Sequence, residues 1–163
     1  MLATRTSSVA ETQRLAAGLA ALAEPGDLIL LVGDLGSGKT AFAQGFGRGL
    51  GVAGAITSPT FTLHRRYDGR LTLHHLDVYR LSQLAEVDDL ALPELLEGPS
   101  VTLIEWGDTI RPALPLEHLE VRLALDDVED ARRVELIVVG ERWSTRRAAL
   151  SRLITGAVEA ARC

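Results

Sequence analysis

A glycine-rich segment that follows a run of apolar residues carries the most distinctive chemistry of this chain. Residues 33–40 satisfy the pattern G-x-x-x-x-G-K-[ST]. Glycines at this spacing let successive backbone N–H groups point at phosphate oxygens, and the dipole of a following helix strengthens the same anion site. The pattern therefore predicts a phosphate-binding loop. Its residues are Gly33, Asp34, Leu35, Gly36, Ser37, Gly38, Lys39 and Thr40.

Two side chains at the end of this segment predict the ligand. The chain has 17 basic residues, and Lys39 is the single lysine among them. A compact ammonium reaches between β- and γ-phosphates in a tight loop, where a planar guanidinium does not fit in the same way. The Thr40 hydroxyl is the expected protein ligand of a Mg²⁺ ion. GTPases of this class typically read guanine through an [NT]-K-x-D motif, and the only lysine is already committed to phosphate. ATP is therefore favoured over GTP, with Mg²⁺ as the metal.

Magnesium and the attacking water also require an acidic group, which P-loop folds usually supply at the end of a neighbouring buried strand. Glu105 follows the apolar run 101–104, and Asp77 follows a more polar segment. Either carboxylate fits; Glu105 is favoured for metal contact or water activation because its strand is more apolar. His74 and His75 are adjacent, so on a strand they point to opposite faces and only one can face the site. We interpret both as structural.

The elements around the loop follow from periodicity and turn residues. Residues 28–32 are a continuous apolar run, typical of a strand buried on both faces of a parallel sheet. Residues 39–50 predict a helix, and its three glycines favour close packing against a neighbour. A capping box that begins at Ser8, with leucines at helical spacing, predicts an amphipathic helix over 8–23.

Two hairpins complete the predicted sheet. Asp68-Gly69 between 61–67 and 71–76 predicts one, and the alternating segments 119–125 and 133–139 predict the other. A further buried strand is predicted at 101–104. Two helical stretches are predicted before it, one that carries Leu81, Leu84, Val87 and Leu90 and a short one from Glu94 to Leu96. A last helix is predicted to begin at the cap Ser144 and to bury Leu150, Leu153, Ile154 and Val158. The expected fold is α/β: a P-loop NTPase-like three-layer sandwich with a mixed, mainly parallel central sheet and an antiparallel hairpin portion, in a single domain over 1–163.

Composition narrows the class of protein. At 163 residues, 47% hydrophobic and 24% charged, the chain is ordinary for one globular domain, and no apolar run approaches the roughly 20 residues of a membrane span. The N-terminus lacks the apolar core of a secretory signal, and the only cysteine, Cys163, excludes an internal disulfide. We expect a cytoplasmic protein. A net charge of −5 argues against tight, direct binding of tRNA or other nucleic acid.

Four motifs in this order make the chain similar to the bacterial TsaE (YjeE) family. They are Gly33 to Thr40, Ser58-Pro59-Thr60-Phe61-Thr62-Leu63, His75-Leu76-Asp77-Val78-Tyr79-Arg80-Leu81 and Ile104-Glu105-Trp106-Gly107-Asp108. Many NTPases share the first motif, whereas the other three in this order and spacing are specific, and the resemblance covers roughly the whole chain. It implies an ATPase that acts with the TsaD and TsaB proteins in making threonylcarbamoyladenosine beside the anticodon of tRNA.

The resemblance also implies roles for single residues. Thr40 and Glu105 contact magnesium, and Asp77 supports the metal or the catalytic step. Ser58-Pro59-Thr60 resembles a switch loop that senses the γ-phosphate, with Thr60 in contact with it.

Three more residues are placed near the nucleotide by the same resemblance. Trp106 lies beside the nucleotide, and Thr12 and Arg132 border the base. Family members commonly have a glycine before this arginine, and Ala131 stands there in this sequence.

The expected reaction is hydrolysis by a water oriented near Glu105 or Asp77, with Lys39 on the phosphates. No arginine finger can be assigned from the sequence, so we expect slow turnover until a partner completes the site. Two other functions fit the loop. One is a small-molecule kinase, in which Arg65-Arg66 would serve as the lid, and the other is a nucleotide-binding interaction module that never hydrolyses ATP.

Overall fold

A computed structural model describes residues 1–59, 63–79, 81 and 84–160. The strands are β1 (Leu2–Thr6), β2 (Leu28–Val32), β3 (His64–Tyr67), β4 (Thr72–Asp77), β5 (Ser100–Glu105), β6 (His118–Leu125) and β7 (Arg132–Val139). The α-helices are α1 (Val9–Ala21), α2 (Lys39–Gly49), α3 (Leu84–Asp88), α4 (Leu92–Leu96), α5 (Glu141–Ser144) and α6 (Arg147–Ala160), and a 3₁₀ helix spans Gly107–Ala113.

The strands form one seven-stranded sheet in the order β1-β7-β6-β2-β5-β4-β3. Its centre is parallel: β2 pairs with β5 and β6, and β4 pairs with β5. Both predicted hairpins are confirmed as the antiparallel pairs β3–β4 and β6–β7, and β1 adds a further antiparallel edge to β7. The phosphate-loop strand β2 therefore lies in the middle of the sheet, between β6 and the strand that ends at Glu105.

Helices cover the sheet on both faces. Ile29 and Leu31 of β2 pack in the cluster that contains α1, α2 and α6, whereas Leu28 and Leu30 pack in the cluster with α3, α4 and the 3₁₀ helix. This alternation explains the continuous apolar run of β2, because successive side chains point to opposite, equally buried faces. The predicted three-layer α/β arrangement is confirmed.

The glycines of α2 permit close packing, as predicted. A Cβ at Gly45 would collide with the backbone of Gln13, one at Gly49 with the backbone of Ala17, and one at Gly47 with Ile56. The backbones of helices α1 and α2 therefore lie in direct contact. This contact fixes the position of α2, the helix that begins at the phosphate loop.

Several predicted boundaries are wrong or untested. Leu63 is left-handed (φ 61°) rather than extended, and β3 begins one residue later. Ser144 ends the short helix α5, its hydroxyl donating to the Glu141 carbonyl, and α6 begins at Arg147. Leu150 and Ile154 of α6 are buried as predicted. Phe61, Thr62 and the side chains of Leu84 and Val158 lie outside the described residues.

Strand β1 has no counterpart in the prediction. Its partners in β7 are more than a hundred residues away in sequence, with Leu2 opposite Leu136. A short edge strand with mixed polarity carries little local signal, so pairing decides its structure.

None of the described helices is long and apolar enough to cross a membrane.

A buried ion pair joins the residue before β2 to the residue before α6. The Asp27 carboxylate is 0% exposed and accepts from Arg146 Nη1 at 2.6 Å and Nη2 at 2.8 Å. The same carboxylate accepts from the Glu24 amide, and the Arg146 guanidinium stacks on Trp143. Asp27 therefore ties the turn before the phosphate-loop strand to the connection between α5 and α6.

Replacing Asp27 by alanine should lower the free energy of unfolding by about 3–5 kcal/mol, because it leaves a largely buried guanidinium without its carboxylate. Urea denaturation checks this. Glu24 is the matched control: it faces the same Arg146 at 4.0 Å but is 61% exposed, so Glu24→Ala should change stability by less than about 1 kcal/mol. Equal losses in the two variants would contradict the prediction.

Two histidines make a pH-sensitive contact between β3 and β4. His64 Nε2 and His74 Nδ1 are 3.0 Å apart. Burial lowers both pKa values below the ordinary 6.5; nearby His75 adds to the effect on His64, and His64 and Arg66 add to it on His74. At neutral pH both rings are uncharged, and one donates to the other.

Acid should weaken the fold through this pair. Because the folded-state pKa values lie below the unfolded value, the unfolded chain takes up protons first, and stability falls as the pH drops through 6.5 toward the folded values. The unfolding free energy should therefore decrease between about pH 7.5 and about pH 5.5, and decrease less in His74→Leu. Urea titrations at both pH values give the comparison; an unchanged pH dependence in the variant would refute the assignment.

Candidate nucleotide-binding site

Residues 33–38 form a loop that leaves the end of β2 and enters α2 at Lys39. Gly36 and Gly38 have φ angles of +80° and +103°, which a side chain would strain. Gly38 is the residue before the helix, and no side chain caps this helix end. The backbone amides of the first turn of α2 are thus available to an anion.

The Lys39 ammonium lies inside this loop. It donates to the carbonyls of Gly33 at 2.6 Å and Asp34 at 2.9 Å, and it lies 4.0 Å from the ring centre of Trp106. Burial lowers its pKa, while the carboxylates of Glu105, Asp77 and Asp34 oppose that shift. Among the described residues, the hydrogen-bond partners of this buried cation are neutral groups, and an anion in the loop would stabilise it further.

Glu105 faces the start of α2 from the neighbouring strand. Its carboxylate is 3% exposed, and its Oε1 accepts from the Thr40 hydroxyl at 3.3 Å and from His75 Nε2 at 2.9 Å. Parallel pairing of β2 with β5 brings this strand end beside the loop. The structure therefore brings Glu105 and Thr40 together; their role at a metal stays a prediction.

Asp77 lies beside Glu105, because the two are directly paired residues of β4 and β5. Asp77 Oδ2 accepts from the Ser58 hydroxyl at 3.3 Å, and Oδ1 accepts from the Tyr79 amide at 3.0 Å. The two candidate acids are thus brought together, and Ser58 of the proposed switch segment contacts one of them. Thr60 lies outside the described residues.

Trp106 closes the site on the side of β5. It follows Glu105 directly and has a left-handed backbone (φ 63°), which turns its ring toward Lys39. Its ring lies 4.7 Å from that of Tyr79, at 43°. The two aromatic rings form a wall beside the ammonium, and the position of Trp106 near a nucleotide stays a prediction.

Arg132 contacts the outside of the phosphate loop, and its expected position beside the base stays a prediction. Its guanidinium donates to the carbonyls of Ser37 at 2.9 Å and Gly36 at 3.3 Å. Because the carbonyl and the N–H of a trans peptide point in opposite directions, the Gly38 amide points away from Arg132. Ala131 is fully buried, and its φ is not positive, so this backbone accepts a Cβ.

Thr12 is not brought to the loop. It is 1% exposed on α1, and its hydroxyl bonds the Thr6 hydroxyl at 2.7 Å and the Ser8 carbonyl. Its role at the base stays a prediction.

The loop and the acidic strand ends enclose a cleft of about 410 Å³. Its lining is Leu35, Gly36, Gly38, Lys39, Thr40, Ala41, Ser58, Asp77, Tyr79, Glu105 and Trp106. A larger cleft of about 490 Å³ lies on the β6–β7 side of the loop. Its lining includes the loop residues Gly33, Asp34 and Ser37, but not Lys39, Thr40 or Glu105. The first cleft is therefore the one with the chemistry for a phosphate and a metal.

Two site residues were not predicted as such. His75 was interpreted as structural, yet its ring bonds Glu105; Tyr79 lines the cleft. Part of the signal was available for His75, because residues two apart on a strand share a face and His75 lies two residues before Asp77. Arg65 and Arg66, the candidate kinase lid, lie on the edge strand β3 and are exposed.

The donor atoms around the cleft fit Mg²⁺. Thr40 offers a hydroxyl and Glu105 and Asp77 offer carboxylates, which are the hard oxygen ligands this ion prefers. Within the described ranges, no group of three or more His, Cys, Asp or Glu is arranged to hold a metal. That is consistent with a site in which phosphates and waters complete the coordination.

A central strand, a glycine-rich loop and a helix that begins with Lys39 and Thr40, facing an acidic strand end, define a protein of the P-loop class. A family model described as threonylcarbamoyl adenosine biosynthesis protein TsaE matches residues 6–134. The chain belongs to the TsaE family.

Similar proteins support this assignment over most of the chain. The tRNA threonylcarbamoyladenosine biosynthesis protein TsaE of Bacillus subtilis is 42% identical over 149 residues, covering 91% of this chain and 92% of that protein. Its counterpart in Streptomyces coelicolor is 43% identical over 135 residues, covering 78% and 90%. The crystal structure of Bacillus subtilis YdiB superposes with a TM-score of 0.75 at 39% identity, covering 93% of this chain and 94% of the other. The resemblance seen in the four sequence motifs is confirmed.

Proposed function

We propose that this chain binds ATP with Mg²⁺, hydrolyses it, and acts with TsaD and TsaB in forming threonylcarbamoyladenosine in tRNA. The similar proteins are named for this modification, and we assign the chain to the cytoplasm because tRNA is the substrate. One observation carries the proposal: Lys39, Thr40 and Glu105 meet in a single cleft.

The phosphate loop would bind the triphosphate through its backbone and Lys39. The ammonium now contacts the Gly33 and Asp34 carbonyls, and phosphate oxygens would replace these weaker partners. Arg132 holds the outer carbonyls of the loop and so keeps the loop amides oriented before the nucleotide arrives. Mg²⁺, held by Thr40 with Glu105 and Asp77 nearby, would neutralise charge on the β- and γ-phosphates.

The carboxylates would act on the water. Glu105 and Asp77 lie side by side at the ends of β5 and β4, so one can orient or deprotonate a water at the γ-phosphate while the other supports the metal. Their positions on paired strands make the arrangement rigid.

The link to partner proteins would run through the segment that contains Ser58. The Ser58 hydroxyl donates a hydrogen bond to Asp77. A change at the γ-phosphate that moved Asp77 would therefore be passed on through this bond to the segment that resembles a switch. Hydrolysis would then alter the affinity for TsaD and TsaB. A partner affinity that is identical with ATP and ADP would refute this coupling.

Phosphate release from ATP, measured without any acceptor, tests the reaction. The chain alone should release phosphate slowly, and addition of TsaD and TsaB should accelerate release by several powers of ten if a partner completes the site. A small-molecule kinase would release no free phosphate with or without its metabolite, because it transfers the γ-phosphoryl group to that acceptor. The exposed edge-strand position of Arg65 and Arg66, away from the cleft lining, favours hydrolysis.

Reconstitution tests the biological role. TsaD, TsaB, this chain, tRNA and the threonylcarbamoyl donor should give modified tRNA by mass spectrometry only when ATP is present. Direct binding of the chain to tRNA should be weak, in keeping with its net charge of −5. Full modification without this chain would contradict the proposal.

A further inference from the structure

The Glu105 carboxylate is held by one of its two oxygens. Among the described residues, both of its side-chain hydrogen bonds, from Thr40 Oγ1 and from His75 Nε2, go to Oε1. The histidine bond is the shorter, at 2.9 Å against 3.3 Å. A bond to one oxygen sets the rotation of the whole planar group and therefore the position of the other oxygen.

His75 has one polar partner and an unpaired nitrogen. The side chain is 0% exposed, and its Nδ1 is buried without a hydrogen bond in the part of the chain that the structure describes. Burying an unpaired polar atom destabilises a fold, and an apolar residue of similar volume would avoid that cost. Within the described part of the chain, the contact with Glu105 is the one side-chain interaction of His75 that an apolar residue could not make.

The hydrogen-bond pattern also assigns the ring proton. A carboxylate oxygen accepts, so Nε2 donates to Glu105, and the unpaired Nδ1 carries no proton in the neutral ring. His75 lies two residues before Asp77 on the same face of β4, and Asp77 pairs with Glu105. The imidazole therefore lies behind the two acids, on the strand next to the edge strand β3, and it is not among the described residues that line the cleft.

We infer that His75 is a positioning residue, which holds Glu105 by Oε1 so that the remaining carboxylate oxygen is oriented before nucleotide and metal bind. This inference rests on the proposed function of Glu105. Such outer partners of a carboxylate typically change activity or metal affinity by about 10–100-fold when they are removed.

Three variants separate positioning from packing. His75→Leu removes the bond and keeps an apolar core; His75→Gln can place an amide N–H near the position of Nε2; His74→Leu changes the neighbouring histidine on the opposite face of the same strand. We expect kcat for ATP hydrolysis to fall about 10–100-fold in His75→Leu with KM within about two-fold, to recover largely in His75→Gln, and to stay at the wild-type value in His74→Leu.

Calorimetry of ADP binding with and without Mg²⁺ provides a second readout. The gain in ADP affinity on adding Mg²⁺ should shrink by about 10-fold in His75→Leu and be retained in His75→Gln. If wild-type protein released no phosphate, the hydrolytic function would fail, and this measurement would still test positioning. A folded His75→Leu protein with wild-type kcat and an unchanged Mg²⁺ effect would overturn the inference, as would a folded His75→Gln protein as impaired as His75→Leu.

Discussion

Replacing Lys39 by alanine should reduce ATP affinity by about 100-fold or more. Among the described residues that line the cleft, Lys39 is the only one with a cationic side chain. A charge-assisted hydrogen bond to phosphate contributes about 1.5–3 kcal/mol, or roughly 10–100-fold in affinity, before the electrostatic attraction to the rest of the triphosphate is added. Isothermal calorimetry with Mg-ATP measures the change directly.

The fold should survive this change. Burial lowers the pKa of Lys39, so its charged form is destabilised in the folded state; this cost is present at neutral pH and disappears only as the pH rises through the folded pKa toward 10.5. Lys39→Ala removes this cost. The loss of charge should therefore not lower the unfolding temperature measured without nucleotide.

Arg48→Ala provides the matched control for charge. It removes a cation from the other end of α2, where Arg48 donates to the Gln13 side chain, and should leave ATP affinity within about two-fold. The Lys39→Arg variant should bind ATP poorly although it keeps the positive charge, because the planar guanidinium does not fit the loop that holds Nζ of Lys39. Wild-type affinity in Lys39→Ala would refute the assignment of this cleft.

Replacing Glu105 by glutamine should reduce kcat about 100-fold or more, in the range expected when a general base or metal contact is lost. Glutamine keeps an oxygen that can accept from Thr40 and His75, so the local geometry is retained and the charge alone is removed. Single-turnover phosphate release, with and without the partner proteins, measures the effect.

Nucleotide affinity measured without Mg²⁺ should change little in this variant, because Glu105 does not contact the phosphates in the proposed arrangement. The control is Glu97→Gln, an exposed glutamate just before the start of β5, which should have wild-type kcat. Unchanged phosphate release in a folded Glu105→Gln protein would leave Asp77 as the acid that acts on the water. It would also remove the basis for Glu105 as a catalytic residue.

The phosphate loop could be predicted from the sequence because its determinants are local. An apolar run, glycines and a Lys-Thr pair lie within one short segment, and each has a backbone or side-chain reason to occur there. The hairpin at Asp68-Gly69 and the capping box at Ser8 follow the same logic. The segment 61–67 was the exception at its start, because the left-handed Leu63 depends on contacts of its carbonyl with the end of β4.

The contact of His75 with Glu105 could not be obtained in this way. Periodicity shows that only one of the paired histidines can face the site, but it does not say which strand lies beside β4 or in what register. The pairing of Asp77 with Glu105 decides both, and it turns a histidine interpreted as structural into the partner of the principal acid.

The amino-acid sequence alone determined the strand, loop and helix around Lys39 and Thr40 and the family to which the chain belongs. Tertiary structure decided the strand order, the pairing of β1, the placement of Arg132 on the loop and of His75 behind Glu105. The physical reason is the range of the forces involved: turn chemistry and helix or strand periodicity act over a few residues, whereas these contacts join residues 30 and 95 positions apart, which only packing of the whole sheet can bring together.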